Sequence, residues 1–254
     1  MEQYADFAYY YDKLTYDVEY EKIADFVKKI FDKYANGKVS LVCDLACGTG
    51  TVCNFLADSG FDMIGVDFSP SMLNIAMEKR GERNILYLNQ DIADFELYGT
   101  VDAFLCLLDS VNHLDCEDDF ERMFNYANNY LNPEGLFIFD VNSPYKFEHI
   151  LSDNVFTYDS DDIYYVWEND FDKDEGICTF YLTFFVNENG LYRRFDEQHT
   201  ERVYTDEKIR KTAEKNGFEI VGMFGGNYDF KSPECDEERI FYAAKKIKNV
   251  KMEK

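Results

Sequence analysis

The sequence has 254 residues, 46% of them hydrophobic, which is enough for one substantial core or a core with a small subdomain. Its 50 acidic and 26 basic residues give a net charge of −24, which disfavours a nucleic acid partner because phosphate backbones carry the same sign of charge. With no apolar stretch that suits a signal peptide or a membrane span, we expect a soluble cytoplasmic protein without a membrane partner.

The N-terminal region is predicted to be helical. Residues 1–17 are rich in aromatic side chains, which favours a helix that packs an aromatic stripe on the main domain: Tyr4, Phe7, Tyr9, Tyr10, Tyr11 and Tyr16. Apolar residues from Ile23 to Phe31 then recur at i, i+3, i+4, i+7 and i+8, the period of an amphipathic helix that faces a sheet. Asn36 and Gly37 end this helix.

Three acidic residues follow three successive apolar runs. Asp44 lies in a predicted strand at 40–45, directly before the Gly48-Thr-Gly50 turn, while Asp67 follows the run 61–66 and Asp91 follows 85–88. Their spacing of about two dozen residues is roughly one strand-plus-helix unit. The three carboxylates are therefore expected along the edge of a parallel sheet where ligands bind.

The remaining elements alternate until Val141. We predict helices over 51–58 and from Ser69-Pro70, strands at 85–89, 101–107 and 136–141, and a helix before the last of these. About 60 residues then precede the next helix, and they contain predicted strands at 162–167, 177–186 and 191–204, typical of an antiparallel lid. A helix at 206–215 and strands at 218–224 and 239–244 complete the chain.

These segments resemble the class I S-adenosylmethionine-dependent methyltransferases, through Asp44–Gly50, Gly65–Met72, Gln90–Ile92, Val101–Leu107 and Leu131–Gly135. The second half is similar to a small-molecule branch with an inserted lid, found among bacterial cytosolic members. The resemblance implies an α/β fold, a Rossmann-like doubly wound sheet of seven strands with the last antiparallel. It also implies a methyltransferase domain of residues 1–142 and 205–248 with an N-terminal helical cap, and an inserted antiparallel β lid of residues 143–204.

The resemblance implies S-adenosylmethionine as the cofactor. Asp67 would accept hydrogen bonds from both ribose hydroxyls, and Asp44 with the Ala46 carbonyl would suit the ammonium and the sulfonium beside the glycine turn. Asp91 and the Ile92 backbone would hold adenine. The expected cofactor-binding residues are Tyr11, Asp44, Ala46, Gly48, Gly50, Asp67, Phe68, Met72, Asp91, Ile92 and Leu107.

A nicotinamide dinucleotide site is the alternative for the same glycine turn. It is disfavoured because Asp44 would oppose a pyrophosphate at the helix N-terminus, and because Cys53 occupies the position of the customary third glycine. The seven cysteines include no Cys-x-x-Cys pair, so we expect buried reduced thiols and no metal site.

In the resembled fold, the loop 108–113 faces the transferred methyl group. It lacks the motifs used to methylate nucleic acid bases. His113 is the candidate general base, although a base is optional for amines and thiols, and Asp109 is a candidate to hold an amino or hydroxyl group. From the lid, the candidate acceptor-binding residues are Tyr165, Trp167, Arg193, His199 and Arg202.

The sequence therefore predicts a methyltransferase that transfers a methyl group to a small-molecule acceptor by in-line displacement. The activated donor leaves the protein mainly to position the acceptor and exclude water. The alternatives are a protein or RNA methyltransferase, or a cofactor-binding regulator without turnover.

Overall fold

The computed structural model describes residues 8–114 and 116–250. Tyr4, Phe7 and the first seven residues of the expected domain lie outside the described residues. The helices are α1 (Ala8–Leu14), α2 (Tyr20–Tyr34), α3 (Thr51–Asp58), α4 (Pro70–Lys79), α5 (Glu117–Tyr130) and α6 (Asp206–Lys215), with a 3₁₀ turn at Ser110–His113 and a π-helix at Lys146–Leu151.

Eleven strands form two sheets in the described chain. They are β1 (Leu41–Leu45), β2 (Asp62–Asp67), β3 (Ile85–Asn89), β4 (Val101–Cys106), β5 (Leu131–Asn142), β6 (Val155–Asp159), β7 (Ile163–Asp172), β8 (Ile177–Glu188), β9 (Leu191–Arg202), β10 (Phe218–Gly225) and β11 (Arg239–Lys246). The seven-stranded sheet has the order β10-β11-β5-β4-β1-β2-β3. Strands β1 to β5 are parallel, and β11 is antiparallel to both neighbours, which confirms the predicted fold class.

Helices cover both faces of the seven-stranded sheet. The apolar stripe predicted for α2 is buried on one face at Ile23, Phe26, Val27, Ile30 and Phe31. Helix α5 packs on the other face through Phe120, Met123, Phe124 and Ala127. Burial on both faces explains why strands such as β1 and β4 are almost wholly apolar.

The inserted lid has four antiparallel strands in the order β6-β7-β8-β9, whereas the sequence predicted three. Strand β6 was missed because it has five residues and none of them is fully buried. Strand β7 runs five residues past the predicted end at Trp167, through alternating polar and apolar residues. We retain residues 143–204 as the proposed extent of the insertion.

Helix α1 bridges the lid and the seven-stranded domain. Tyr10 stacks on Phe195 of β9 with 6.0 Å between ring centroids. On the other side, Oδ2 of Asp12 lies 2.6 Å from Nζ of Lys79 in α4, and the Thr49 hydroxyl donates to Oδ1 of Asp12 at 2.6 Å. The expectation that the aromatic helix packs on the main domain is therefore incomplete, since Tyr10 of this helix stacks on the lid.

The burial of the cysteines tests one further expectation. Cys43, Cys53, Cys106 and Cys178 are buried, but Cys116 and Cys235 are exposed, so the prediction of buried thiols is wrong for those two. Among the described residues, no helix combines the length and the apolar character needed to cross a bilayer.

Candidate functional site

The Gly48-Thr-Gly50 turn connects β1 to α3. Both glycines have positive φ, 54° at Gly48 and 72° at Gly50, where a side chain would be strained. A Cβ on Gly50 would overlap the hydroxyl of Tyr87, whereas one on Gly48 would meet no atom within 4 Å. Gly50 therefore permits close packing beneath the turn, and Gly48 leaves open space in which a ligand can approach the backbone.

Asp67 ends β2 beside this turn, and its side chain is buried. One carboxylate oxygen accepts the Gly48 N–H at 2.8 Å and the other accepts the Ser69 N–H at 2.8 Å. Each oxygen keeps a second lone pair for a further donor. These vacant acceptor positions fit the two ribose hydroxyls of the expected cofactor.

Asp44 lies near the end of β1, just before the turn. Its side chain is 3% exposed and accepts the thiol of Cys53 at 3.3 Å. Burial, reinforced by the charge of Asp67 and only partly offset by the Cys53 hydrogen bond, raises the pKa of Asp44 to about 7. A cationic ligand would stabilise the ionised form of this carboxylate, which fits the ammonium and sulfonium of S-adenosylmethionine. A pyrophosphate would be repelled by it.

A small cavity of about 40 Å³ lies over the turn. It is lined in part by five expected cofactor residues, Tyr11, Asp44, Ala46, Gly48 and Leu107. A larger groove of about 570 Å³ lies outside it, along the α1–α2 connection and α3, and shares only Tyr20 and Thr51 with the cavity. Since small-molecule sites usually enclose about 300–1,000 Å³, this cavity alone is smaller than a nucleoside needs.

The expected adenine end is more open. Asp91 is exposed and accepts the Ala93 N–H at 2.8 Å, while Ile92 is buried behind it. Phe68 is 49% exposed, and Met72 is buried at the start of α4. Ser69 caps that helix by accepting the Met72 N–H, as predicted.

The loop after β4 is held in a strained conformation. Leu108 and Asp109 have φ of 59° and 54°, a left-handed region that costs roughly 1–2 kcal/mol per non-glycine residue. The buried carboxylate of Asp140, in β5, accepts the N–H of Leu108 at 2.7 Å and of Asp109 at 2.9 Å. Arg239 of β11 donates to Asp140 and, at 3.0 Å, to the carboxylate of Asp109. Asp140 and Arg239 thus position the loop expected to face the methyl group.

Asp109 belongs to a polar cluster between this loop and the base of the lid. The Asn142 amide donates to Asp109 at 2.9 Å and to Glu201 of β9 at 2.7 Å, and Oε1 of Glu201 lies 3.6 Å from Nε2 of His113. Although burial opposes its ionisation, the charge of Arg239, followed by those of Lys146 and His113, holds the pKa of Asp109 well below its usual range. Asp109 is therefore a permanent anion, which suits holding an amino group better than accepting a proton.

Asp109, His113 and Glu201 bring one potential ligand atom each within 4.8 Å of one another, a spacing that a metal ion can use. The charges around them favour another use. Arg239 and Lys146 place positive charge beside Asp109, and Lys146 also beside Glu201, which opposes a divalent cation more strongly than a singly charged ammonium group.

The lid candidates do not all meet at this cluster. By strand alternation and register, Tyr165, Trp167, Arg193 and His199 share the face that packs toward α1 and the cluster. His199 contacts His113 edge to face, with 6.2 Å between ring centroids, and burial, then the charge of His113, lowers its pKa to about 4. Arg193, in contrast, lies roughly 26 Å along β9 from Glu201 and pairs with Glu188.

Arg202 follows Glu201 in β9, so its side chain lies on the opposite face of the lid. Its carbonyl accepts the Asn112 amide at 2.8 Å, and this bond ties the base of the lid to the loop after β4. Arg193 and Arg202 are therefore not brought to the cluster.

Sequence reasoning missed five residues of the cluster and its support: Asp140, Asn142, Lys146, Glu201 and Arg239. Asp140 and Asn142 could have been found from the sequence, because they lie at the end of the predicted strand 136–141, as Asp67 lies at the end of β2. Glu201 had a weaker signal: it lies two residues after His199, so strand alternation places both on one face, but only the docking of the lid shows which face meets the loop after β4.

The raised pKa of Asp44 predicts that affinity for S-adenosylhomocysteine falls as the pH is lowered through about 7. Below this pH the free protein holds a proton on Asp44 that the cofactor's ammonium must displace, so the affinity falls by up to about tenfold per pH unit. Calorimetric titrations on both sides of this pKa test the prediction. Asp44→Asn should bind more weakly at high pH and lose the pH dependence, and a wild-type affinity constant with pH would contradict it.

Comparisons with known proteins agree with this geometry. Residues 42–135 match a family profile described as a methyltransferase domain. A provisionally named methyltransferase of Geobacillus sp. (strain WCH70) is 32% identical over 96% of this chain and 99% of its own. The crystal structure of an S-adenosylmethionine-dependent methyltransferase from Clostridium acetobutylicum ATCC 824 has a TM-score of 0.87 at 35% identity, covering 96% of this chain and 99% of that one. A glycine/sarcosine N-methyltransferase of Halorhodospira halochloris is 28% identical over 79% of this chain and 72% of its own.

Proposed function

Because this chain belongs to the class I S-adenosylmethionine-dependent methyltransferases, we propose that it methylates the nitrogen of a small-molecule amine. The observation that carries the proposal is the surplus of negative charge in the polar cluster at the base of the lid. The glycine/sarcosine N-methyltransferase among its relatives acts on amines, which supports the same class of acceptor.

Residues at the β1 and β2 edge would hold the cofactor. Asp67 would accept the ribose hydroxyls, Asp44 and the Ala46 carbonyl would face the ammonium, and Gly48 would let the backbone approach. Bound there, S-adenosylmethionine supplies an electrophilic methyl group on a sulfonium. The chain's own task is to orient an acceptor nitrogen and exclude water.

The charge count of the cluster favours a cationic acceptor. Its carboxylates are Asp109, Asp140 and Glu201, and its arginine and lysine side chains are Arg239 and Lys146. While Glu201 is ionised, one negative charge is left over in this partly buried site, and a buried charge without a partner is costly. An alkylammonium group would supply the missing positive charge, which neither an alcohol nor a thiol can do.

The cover over the site favours a small acceptor. The base of the lid closes the site where Asn112 holds the Arg202 carbonyl and Asn142 holds Glu201, and helix α1 joins the lid farther along β9 through Tyr10 on Phe195. A folded protein or an RNA helix cannot enter such a space without displacing the lid. The net charge of −24 adds a further barrier to RNA.

Transfer of a labelled methyl group tests the proposal. Purified protein and methyl-labelled S-adenosylmethionine are incubated with glycine, sarcosine and glucosamine, with glycolate and thioglycolate as matched acceptors that lack the amine. A small-metabolite extract is assayed in parallel, before and after its amines are blocked by acetylation. We expect label in amines and a loss of acceptor capacity after acetylation.

Three outcomes would contradict the proposal. Label in glycolate or thioglycolate alone, or undiminished labelling after acetylation, would assign the acceptor to oxygen or sulfur. Label in added protein or transfer RNA would assign a macromolecular acceptor. Binding of S-adenosylmethionine with no labelled product from any pool would favour a regulator without turnover.

A further inference from the structure

Glu201 is a buried carboxylate that the lid brings to the loop after β4. It is 3% exposed and lies one residue before the end of β9. Its oxygen Oε2 accepts the Asn142 amide at 2.7 Å, while Oε1 is 3.6 Å from Nε2 of His113. Glu201 thus has one oxygen held by the sheet and the other turned toward His113 in the loop after β4.

Charged and titratable groups from five elements surround Glu201. Burial, then the charge of Asp109, raises the pKa of Glu201 to about 7, and His113, the Asn142 hydrogen bond and Lys146 act in the opposite direction. The facing groups are Asp109 and His113 from the loop after β4, Lys146 from the π-helix, Arg239 behind Asp109, Cys178 of β8 and His199 of β9. A carboxylate that takes up and releases a proton near neutral pH suits general-base catalysis.

We propose that Glu201 accepts the proton of the acceptor ammonium group, so that the lid supplies the general base; this inference rests on the proposed amine acceptor. The N–H bond breaks and its proton passes to Oε1 of Glu201. The freed nitrogen lone pair forms the bond to the methyl carbon, and the carbon–sulfur bond breaks with its electron pair remaining on sulfur. Charge and atoms balance, since the positive charge lost by sulfur reappears on the methylated nitrogen.

Asp109 and Glu201 differ in role although both are acids of one cluster, Asp109 partly exposed and Glu201 buried. Asp109 is held as an anion by Arg239, so it orients the ammonium without taking its proton. Glu201 has no arginine or lysine within 4 Å among the described residues, so proton uptake breaks no ion pair with either. Two carboxylates with well separated pKa values divide the tasks of binding and proton transfer.

His113 gives the proton a route out. Its side chain is one-third exposed, while Glu201 beside it is buried. After transfer, the proton on Glu201 can move to His113 and then to solvent, which resets the carboxylate for the next turnover. The sequence placed His113 as the base itself, whereas this geometry assigns it to the relay.

Proton transfer to Glu201 requires the base of the lid to be packed against the loop after β4. Asn112 holds the Arg202 carbonyl, and Asn142 holds Glu201 itself, so the carboxylate reaches the loop only when β9 is seated. The proposed proton transfer thereby depends on the seating of β9, whereas Asp44 and Asp67 lie outside this contact.

Glu201→Gln tests the inference, because glutamine keeps the shape and can still accept the Asn142 amide. Measured at neutral pH with labelled methyl donor and the best amine of the glycine, sarcosine and glucosamine set, kcat/KM should fall at least tenfold, with affinity for S-adenosylhomocysteine unchanged. The deficit should shrink as the pH approaches the pKa of the free amine, because solution base then deprotonates the acceptor. Asp196→Asn, a matched change on the outer face of β9, should retain the wild-type rate and pH profile.

A second readout needs no turnover. Infrared difference spectra of wild type against Glu201→Gln should show one carboxyl band that converts to carboxylate as the pH rises through about 7. An unchanged rate and pH profile in Glu201→Gln, or no such band, would overturn the role of Glu201. Methyl transfer by the wild type to glycolate or thioglycolate only would instead overturn the amine acceptor, so the two failures are distinguishable.

Discussion

Replacing Arg239 with methionine is expected to lower the free energy of unfolding by about 3–5 kcal/mol, the usual cost of removing one partner from a buried ion pair. Arg239 neutralises two carboxylates, Asp109 and Asp140, and its side chain is only 21% exposed. Without it, the two acids repel each other beneath the loop after β4. For a chain of this size, the melting temperature should fall by about 6–20 °C.

The matched control is Arg194→Met, which removes an exposed pair with Asp196 on the lid. Exposed pairs contribute about 0–1 kcal/mol, so this variant should melt within a few degrees of the wild type. If the two variants lost the same free energy of unfolding in urea, the Arg239 pair would contribute no more stability than an exposed pair. A triple change of Arg239, Asp109 and Asp140 to similar-sized neutral residues should recover much of the loss.

Replacing Asp67 with alanine is expected to weaken S-adenosylhomocysteine binding by about 2–3 kcal/mol or more, the scale of charge-assisted hydrogen bonds. This corresponds to about a 30- to 150-fold increase in Kd. The variant loses the acceptors for the ribose hydroxyls and also the bond that orients the Gly48 N–H. Calorimetry at a pH above the pKa of Asp44 isolates this effect from protonation.

Asp62→Ala is the control for Asp67, because it removes the same side chain from the other, exposed end of β2. It should leave the Kd within twofold of the wild type. If Asp67→Ala binds as tightly as the wild type while Asp62→Ala also does, the ribose is held elsewhere and the proposed role of Asp67 is wrong.

Much of the cofactor edge could be predicted from the sequence because it depends on local patterns. Asp44, Asp67 and Asp91 each follow an apolar run, and parallel strands carry such residues to one edge whatever the details of packing. The positive φ of Gly48 and Gly50 and the cap at Ser69 are likewise local. Element bounds such as α3 and α6 were predictable for the same reason.

The acceptor side was predictable only in part, because it depends on contacts between distant segments. Glu201 meets His113 and Asn142 only through the pairing of β9 with β8 and the docking of the lid on the sheet. A one-residue slip in that register would turn Glu201 to the outer face and bring Arg202 inward. The Asn189-Gly190 turn fixes the pairing of β9 with β8, but which face of the lid packs on the sheet depends on contacts between distant segments, so Arg202 was placed among the acceptor-binding residues and Glu201 was not.

The role of Asp109 shows the same limit. Its position in the loop after β4 indicated a binding residue, but its charge state is set by Arg239, which lies 130 positions later in the chain. Only the antiparallel pairing of β11 with β5 brings the two together.

The central claim is that a sulfonium nucleoside binds against Asp44 and Asp67 at the glycine turn, next to a lid-covered amine site. A crystal structure with S-adenosylhomocysteine tests it most directly. We expect ribose oxygens within hydrogen-bond distance of Asp67, the amino group beside Asp44 and Ala46, and the sulfur directed toward the loop of Asp109 and His113. A ligand bound in the outer groove along α3, with Asp67 contacting only Gly48 and Ser69, would contradict the account.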